Sequence, residues 1–176
     1  MKLENTVTSI GTYNNVLTSL TSNKTIVNMI DGIRLIKSAD KVNWGTGNLT
    51  YTLKITNQTD KTYTGSTITD IIDSKLVDFI TGSLIINGIK ANNNQYKYDN
   101  LSNTLTINLD DIMPYQVQIL RFSVRKKVNK HFLLTSNSTI TLKSGIKIQS
   151  NTVGVISHEI KNTFSNNWCG TPYWRN

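Results

Sequence analysis

His131 and His158 are the only histidines, and no Cys, Asp or second His stands at a ligand spacing from either. They read as solvated side chains, and no metal site is expected. Nucleophilic catalysis needs a Ser or Cys beside a base, and the candidates here are scattered singly along the chain. Asp110 with Asp111, and Asp70 with Asp73, are carboxylates of the kind that bind calcium. No glycine-centred loop of alternating carboxylates surrounds them, so they read as turn residues. There is no Gly-rich phosphate cradle. Sequons at Asn23, Asn48, Asn57, Asn100 and Asn137 are chance matches in a chain with 22 Asn and 24 Thr. The expectation is a protein that is not an enzyme and needs no cofactor.

The composition shows what kind of scaffold holds these residues. Asn and Thr together make up about a quarter of the 176 residues. Thr suits a pleated, half-exposed surface and Asn suits turns, which points to an all-β chain with short connections. The length suffices for a core without disulfides, and the single cysteine, Cys169, permits no intramolecular one. A net charge of +8 invites an anionic partner. The densest basic run, Arg121, Arg125, Lys126, Lys127 and Lys130, starts inside an apolar strand-like segment and reads as a protected edge strand. Nucleic acid is therefore not expected as a partner. No stretch is long and apolar enough for a membrane helix, and the start MKLENTVTSI has no apolar core of a secretory signal. Synthesis without Sec export, and no membrane partner, are the expectations.

Three textures divide the chain at 1–31, 32–156 and 157–176. In the middle one, Leu49, Tyr51, Leu53 and Ile55 alternate with Thr50, Thr52, Lys54 and Thr56, a strand with one wet face. Leu105, Ile107 and Leu109 repeat this, as do Ile140 with Leu142 and Ile146 with Ile148. Asn87-Gly88 after Leu84-Ile85-Ile86 predicts a hairpin turn. Between Tyr115 and Val128 the apolar parity shifts from Val117 and Ile119 to Leu120, Phe122 and Val124, which predicts a β-bulge. Only Asp70 to Leu76 could pass for a helical turn. Seven to nine strands in this span suit an immunoglobulin-like β-sandwich with N- and C-terminal extensions.

The span from about 33 to 156 resembles a bacterial and archaeal surface repeat domain, number eleven among the domains of unknown function. The likeness rests on an ordered set. Gly47 precedes Leu49-Thr-Tyr-Thr-Leu-Lys-Ile-Thr-Asn57, then come Thr69-Asp70-Ile71-Ile72 and Phe79-Ile80-Thr81-Gly82-Ser83-Leu84 with Asn87-Gly88. Ile107-Asn108-Leu109, Pro114, Phe122-Ser-Val124, Asn137-Ser-Thr-Ile140 and Ser150-Asn151-Thr152-Val153 follow. The resemblance implies an Ig-like building module of microbial surfaces, usually in tandem. The expectation for this chain is one module, without export signal or wall anchor. Similar modules occur in clostridial spore surfaces and appendages made in the mother-cell cytoplasm. The expectation is a self-assembling subunit of a surface filament, spore appendage or coat layer. Its partners would be copies of itself and other surface-layer proteins. The alternative is a surface adhesin that binds a glycan or a host protein.

Some Ig-like surface modules also form an internal Lys–Asn isopeptide bond beside a buried carboxyl group. Lys37, Asp70 and Asn151 have the required order, and Lys54 with Asn137 is a weaker set. The same residues also read as a solvated Lys, a turn-capping Asp and a turn Asn. Assembly would fall to the extensions. Val7, Ile10, Val16, Leu17, Leu20, Ile26, Val27, Met29 and Ile30 are many apolar residues for a free tail and too irregular for a second core. Such a segment can add as a strand to a neighbour's sheet edge, or fold over its own sandwich. Trp168, Cys169, Tyr173 and Trp174 form an aromatic end suited to a second contact or to capping their own sandwich. Cys169 is either packed quietly under Trp168 or available to another chain.

Overall fold

The computed structural model describes residues 2–14, 16–21, 25–28 and 32–160. All of the regular structure described is β. Four strands, β1 (Lys2–Asn5), β2 (Thr8–Tyr13), β3 (Val16–Thr21) and β4 (Thr25–Asn28), precede the sandwich. Next come β5 (Ile33–Ala39), β6 (Asn43–Trp44), β7 (Leu49–Asn57), β8 (Thr67–Ile71), β9 (Val77–Phe79), β10 (Ile85–Ile86) and β11 (Ile89–Lys90). The rest are β12 (Tyr96–Asp99), β13 (Thr104–Asn108), β14 (Val117–Lys126), β15 (Phe132–Ser136), β16 (Ser138–Thr141), β17 (Lys147–Gln149) and β18 (Val153–Ser157). Fourteen strands thus lie between residues 33 and 157, seven of them five residues or longer. The expected Ig-like sandwich is present, and short pieces at its margins raise the strand count.

One sheet runs β11-β10-β14-β7-β5, with β9 also on β14; the facing sheet runs β12-β13-β8-β16-β17. A smaller sheet, β15-β18-β6, closes one end. The alternation read in β7 holds: Leu49, Tyr51, Leu53 and Ile55 are all buried. Facing them across the core are Ile68, Leu105, Ile107 and Ile140, each fully buried. Burying a side chain of this kind contributes about 1.5–3 kcal/mol, so this layer holds the sheets together. Asn87 and Gly88, at φ 49° and 85°, make the two-residue hairpin between β10 and β11. Both positions have the positive φ that a type I′ turn needs.

Three expectations are corrected. Strand β14 has no bulge, since its register with β7 is unbroken from Val117↔Thr56 to Val124↔Leu49. Gln118 takes the inward position where the apolar pattern fails, and its Nε2 donates to the Asp111 carbonyl at 3.2 Å. Val117 and Ile119 simply face outward. Nor is β14 an edge strand, because β7 pairs on one side and β9 and β10 on the other. Its basic residues decorate an interior strand. Asp70 lies in β8 rather than in a helical turn, and the tight turn that follows is capped by Asp73, whose Oδ1 accepts from Lys75 N.

Strands β1 to β4 make a ribbon of two ladders. β1 pairs β4 from Lys2↔Asn28 to Asn5↔Thr25, and β2 pairs β3 from Thr8↔Thr21 to Tyr13↔Val16. Asn14 turns the chain at φ 51°, a conformation that Asn tolerates better than most residues. Among the described residues, no strand of this ribbon pairs with the sandwich. At the other end, β18 carries the sandwich to Ser157. His158 N then donates to the Trp44 carbonyl, and Ile160 N to Asn129 Oδ1, which holds the chain on the sandwich to residue 160.

Candidate functional site

The sequence-predicted set of Lys37, Asp70 and Asn151 does converge, though in two separate ways. Lys37 projects inward from β5, and Asp70 projects from β8 in the facing sheet. Their side chains meet with no solvent exposure, Nζ to Oδ2 at 2.5 Å. Nζ also donates to Ser136 Oγ at 2.5 Å and lies over the Tyr51 ring, 4.3 Å from its centroid. The Ser138 hydroxyl donates to the same Asp70 oxygen, and Ser136 Oγ reaches Asp70 Oδ1 at 3.4 Å. The result is a polar rivet joining the two large sheets to the closing one. Burial lowers the Lys37 pKa, and Asp70 opposes that shift. Burial, with the Asp70 charge second, raises that of Tyr51, whose hydroxyl has no partner of normal hydrogen-bond geometry.

Asn151 meets the same lysine at its main chain. Lys37 N donates to Asn151 Oδ1 at 3.0 Å, and Asn151 Nδ2 donates to the Lys37 carbonyl at 2.9 Å. One side-chain amide thus supplies both bonds that a neighbouring strand would give to the outer edge of β5. An isopeptide would require this amide to leave both bonds and the amine to leave Asp70. Lys54 faces solvent on β7, away from the half-buried Asn137. With no exposed surface at Lys37 and Asp70, the rivet has no access for a substrate. Among the described residues, no group of three or more His, Cys, Asp or Glu gathers.

The surface offers three other features. Val7, Ile10 and Leu17 on the ribbon are 63%, 68% and 75% exposed. Strands β1 and β4 hold Ile26 and Val27 in register with Glu4 and Leu3. Met29, Trp168, Cys169, Tyr173 and Trp174 lie outside the described residues. On the outer face of the first sheet, Ile85, Val117 and Ile119 line a groove of about 230 Å³ beside the exposed Ile89. A wider cleft of about 510 Å³ opens between β9 and β12, with Asp78, Tyr98, Asn100, Asn103 and Arg125 in its walls. Arg125 and Lys127 flank Asp78 there, at 3.6 and 3.8 Å. Neither surface feature was legible in the sequence, because residues from distant strands build each.

No protein-family model matches the chain, and no curated protein matches it. Solved structures do. The chain is similar to the major pilin subunit BcpA of Bacillus cereus, at 17% identity and TM-score 0.51, covering 86% of this chain and 48% of that one. It is similar to the major pilin SpaD of Corynebacterium diphtheriae, at 18% and 0.51, covering 69% and 35%. The C-terminal domain of the antigen I/II-family protein AspA of Streptococcus pyogenes matches at 14% and 0.53, covering 89% and 55%. The chain therefore spans about half or less of these structures. At such identities the likeness establishes a shared fold, the Ig-like sandwich of pilin and adhesin domains.

Proposed function

We propose that this protein is a structural, self-assembling subunit of a surface filament, with the N-terminal ribbon as its joint. The observation that carries this reading is the ribbon itself. An isolated two-stranded ladder is marginally stable in water, and this one leaves Val7, Ile10 and Leu17 in solvent. A second layer from another copy would complete it. The outward stripe of Ile85, Val117 and Ile119 on the next subunit is an apolar surface that suits the task. Ribbon and stripe are different patches, so the contact is head-to-tail and need not close, which gives open filaments. A cell or spore surface is the setting that the resemblance favours. Other surface-layer proteins would be secondary partners. The pilin neighbours lend the fold a precedent for such use.

Electron microscopy of purified full-length protein is expected to show filaments, and a chain lacking residues 1–31 to show none. Equal assembly by both chains refutes the ribbon as the joint. One observation favours a second reading, the adhesin. The cleft beside Tyr98 carries the amides of Asn100 and Asn103 and the charged groups of Asp78 and Arg125, a set suited to hydroxyl-rich ligands. Glycan binding that survives loss of residues 1–31, without filaments, identifies that role.

A further inference from the structure

The two histidines of the chain lie 27 positions apart in sequence and touch in the fold, with ring centroids 5.6 Å apart. The sheet register brings them together. β15 and β18 pair antiparallel with Phe132 opposite Ser157, so the next step outward sets His131 opposite His158. His158 N donates to the Trp44 carbonyl at 3.0 Å, and the His158 carbonyl accepts from Lys126 Nζ at 2.9 Å. Both main-chain groups of His158 therefore point away from β15. The pair is of the non-hydrogen-bonded kind, in which facing side chains stand closest.

From this geometry we infer a binding site for a borderline divalent transition ion, Zn²⁺, Ni²⁺ or Cu²⁺, chelated by His131 and His158. Two imidazole nitrogens at about 2.0–2.1 Å from one ion lie roughly 3.3 Å apart in tetrahedral geometry. Rings already in contact reach that separation by side-chain rotation, and both residues are exposed. Asn43 can orient the ring. His158 Nε2 lies 3.2 Å from Asn43 Oδ1. In the tautomer that donates from Nε2 to this oxygen, Nδ1 presents the lone pair, with Asn43 as the orienting partner metal-bound histidines commonly have. Water fills the remaining positions. Imidazole rather than carboxylate ligands select these ions over Mg²⁺ or Ca²⁺. The bound ion would cross-link β15 to β18 just before residue 160.

The test is calorimetric titration of full-length protein with ZnCl₂ and NiCl₂, with MgCl₂ as control. A Cys169→Ser chain is titrated in parallel to remove the thiol as a ligand. The expected result is one ion per chain in both proteins and none for Mg²⁺. His131→Ala or His158→Ala should each weaken binding at least tenfold, and Asn43→Ala severalfold. Cu²⁺ added to labelled wild-type protein should broaden NMR signals around residues 131 and 158, a readout that needs no variant to fold. The inference is overturned by unchanged affinity in either histidine variant, by binding lost in Cys169→Ser, or by no binding at 1 mM Zn²⁺.

Discussion

The ribbon at residues 2–28 and the sandwich at 33–157 are both antiparallel and Thr-rich, yet they differ in what their strands cover. Each long sandwich strand has one face on a second sheet, and β7 buries every odd residue from Leu49 to Asn57. Among the described residues the ribbon has pairing without a second layer, and Ile10 and Leu17 remain mostly exposed. Main-chain pairing largely exchanges bonds to water for bonds within the protein, so its net contribution is modest. Burial separates the two regions. The sandwich has both layers of its core, whereas the described strands of the ribbon have only their pairing partners.

The contrast is sharpest at the rivet. Asp70→Ala leaves the Lys37 ammonium in the core without its carboxylate, and should cost about 3–5 kcal/mol in urea unfolding. Lys37→Met with Asp70→Leu removes both charges and should be far milder, because a buried pair is roughly neutral against an apolar replacement of similar volume. A loss below about 1 kcal/mol in Asp70→Ala would mean that water reaches the pair.

Ribbon changes should do the reverse. Ile10→Ser with Leu17→Ser should leave the sandwich unfolding midpoint within about 0.5 kcal/mol, as exposed substitutions usually do, while abolishing filaments. Ile119→Lys on the opposite patch should give the same outcome from the other side of the joint. If either variant assembles normally, the ribbon-to-stripe contact is the wrong joint, whatever the ribbon otherwise does.

The covalent alternative at Lys37 has its own measurement. Asn151 is engaged by the Lys37 main chain and the amine by Asp70, so the intact mass is expected at the sequence value. Attack of Nζ on Asn151 Cγ would expel Nδ2 as ammonia and lower the mass by about 17 Da. A deficit of that size would show that the amide leaves its strand-edge position after folding.

These comparisons also mark what was legible in the sequence. Alternation in β7, β13 and β16 and the Asn87-Gly88 turn are local signals, and the structure follows them. Hydropathy failed at Gln118, since a buried amide whose Nε2 donates to a carbonyl of another segment looks like a surface residue. The order Lys37, Asp70, Asn151 was readable, but the main-chain role of Asn151 depends on where the 150–153 segment crosses β5. The histidine pair is set by register alone, which no spacing rule reports. The ribbon was missed because Thr and Ser dilute its apolar residues below any period, although Asn14 marks its turn.

The smallest expected effect concerns the unpartnered hydroxyl of Tyr51. Burial and the Asp70 charge raise its pKa above the ordinary value of 10.0. The unfolded chain therefore releases this proton at a lower pH than the folded one. Stability from this group is complete below pH 10 and is lost as pH rises toward the folded pKa, by roughly 1.4 kcal/mol per pH unit. Lys37 acts in the opposite sense, because burial lowers its pKa and the unfolded chain holds that proton longer. Comparing Tyr51→Phe with wild type isolates the tyrosine. The variant should be as stable as wild type or slightly more so at pH 7, since it deletes an unsatisfied buried hydroxyl. At pH 11 its advantage should grow by about 1 kcal/mol. An advantage that stays constant from pH 7 to 11 would mean that Tyr51 ionises in the folded protein as it does in water, and that the core around the rivet is open.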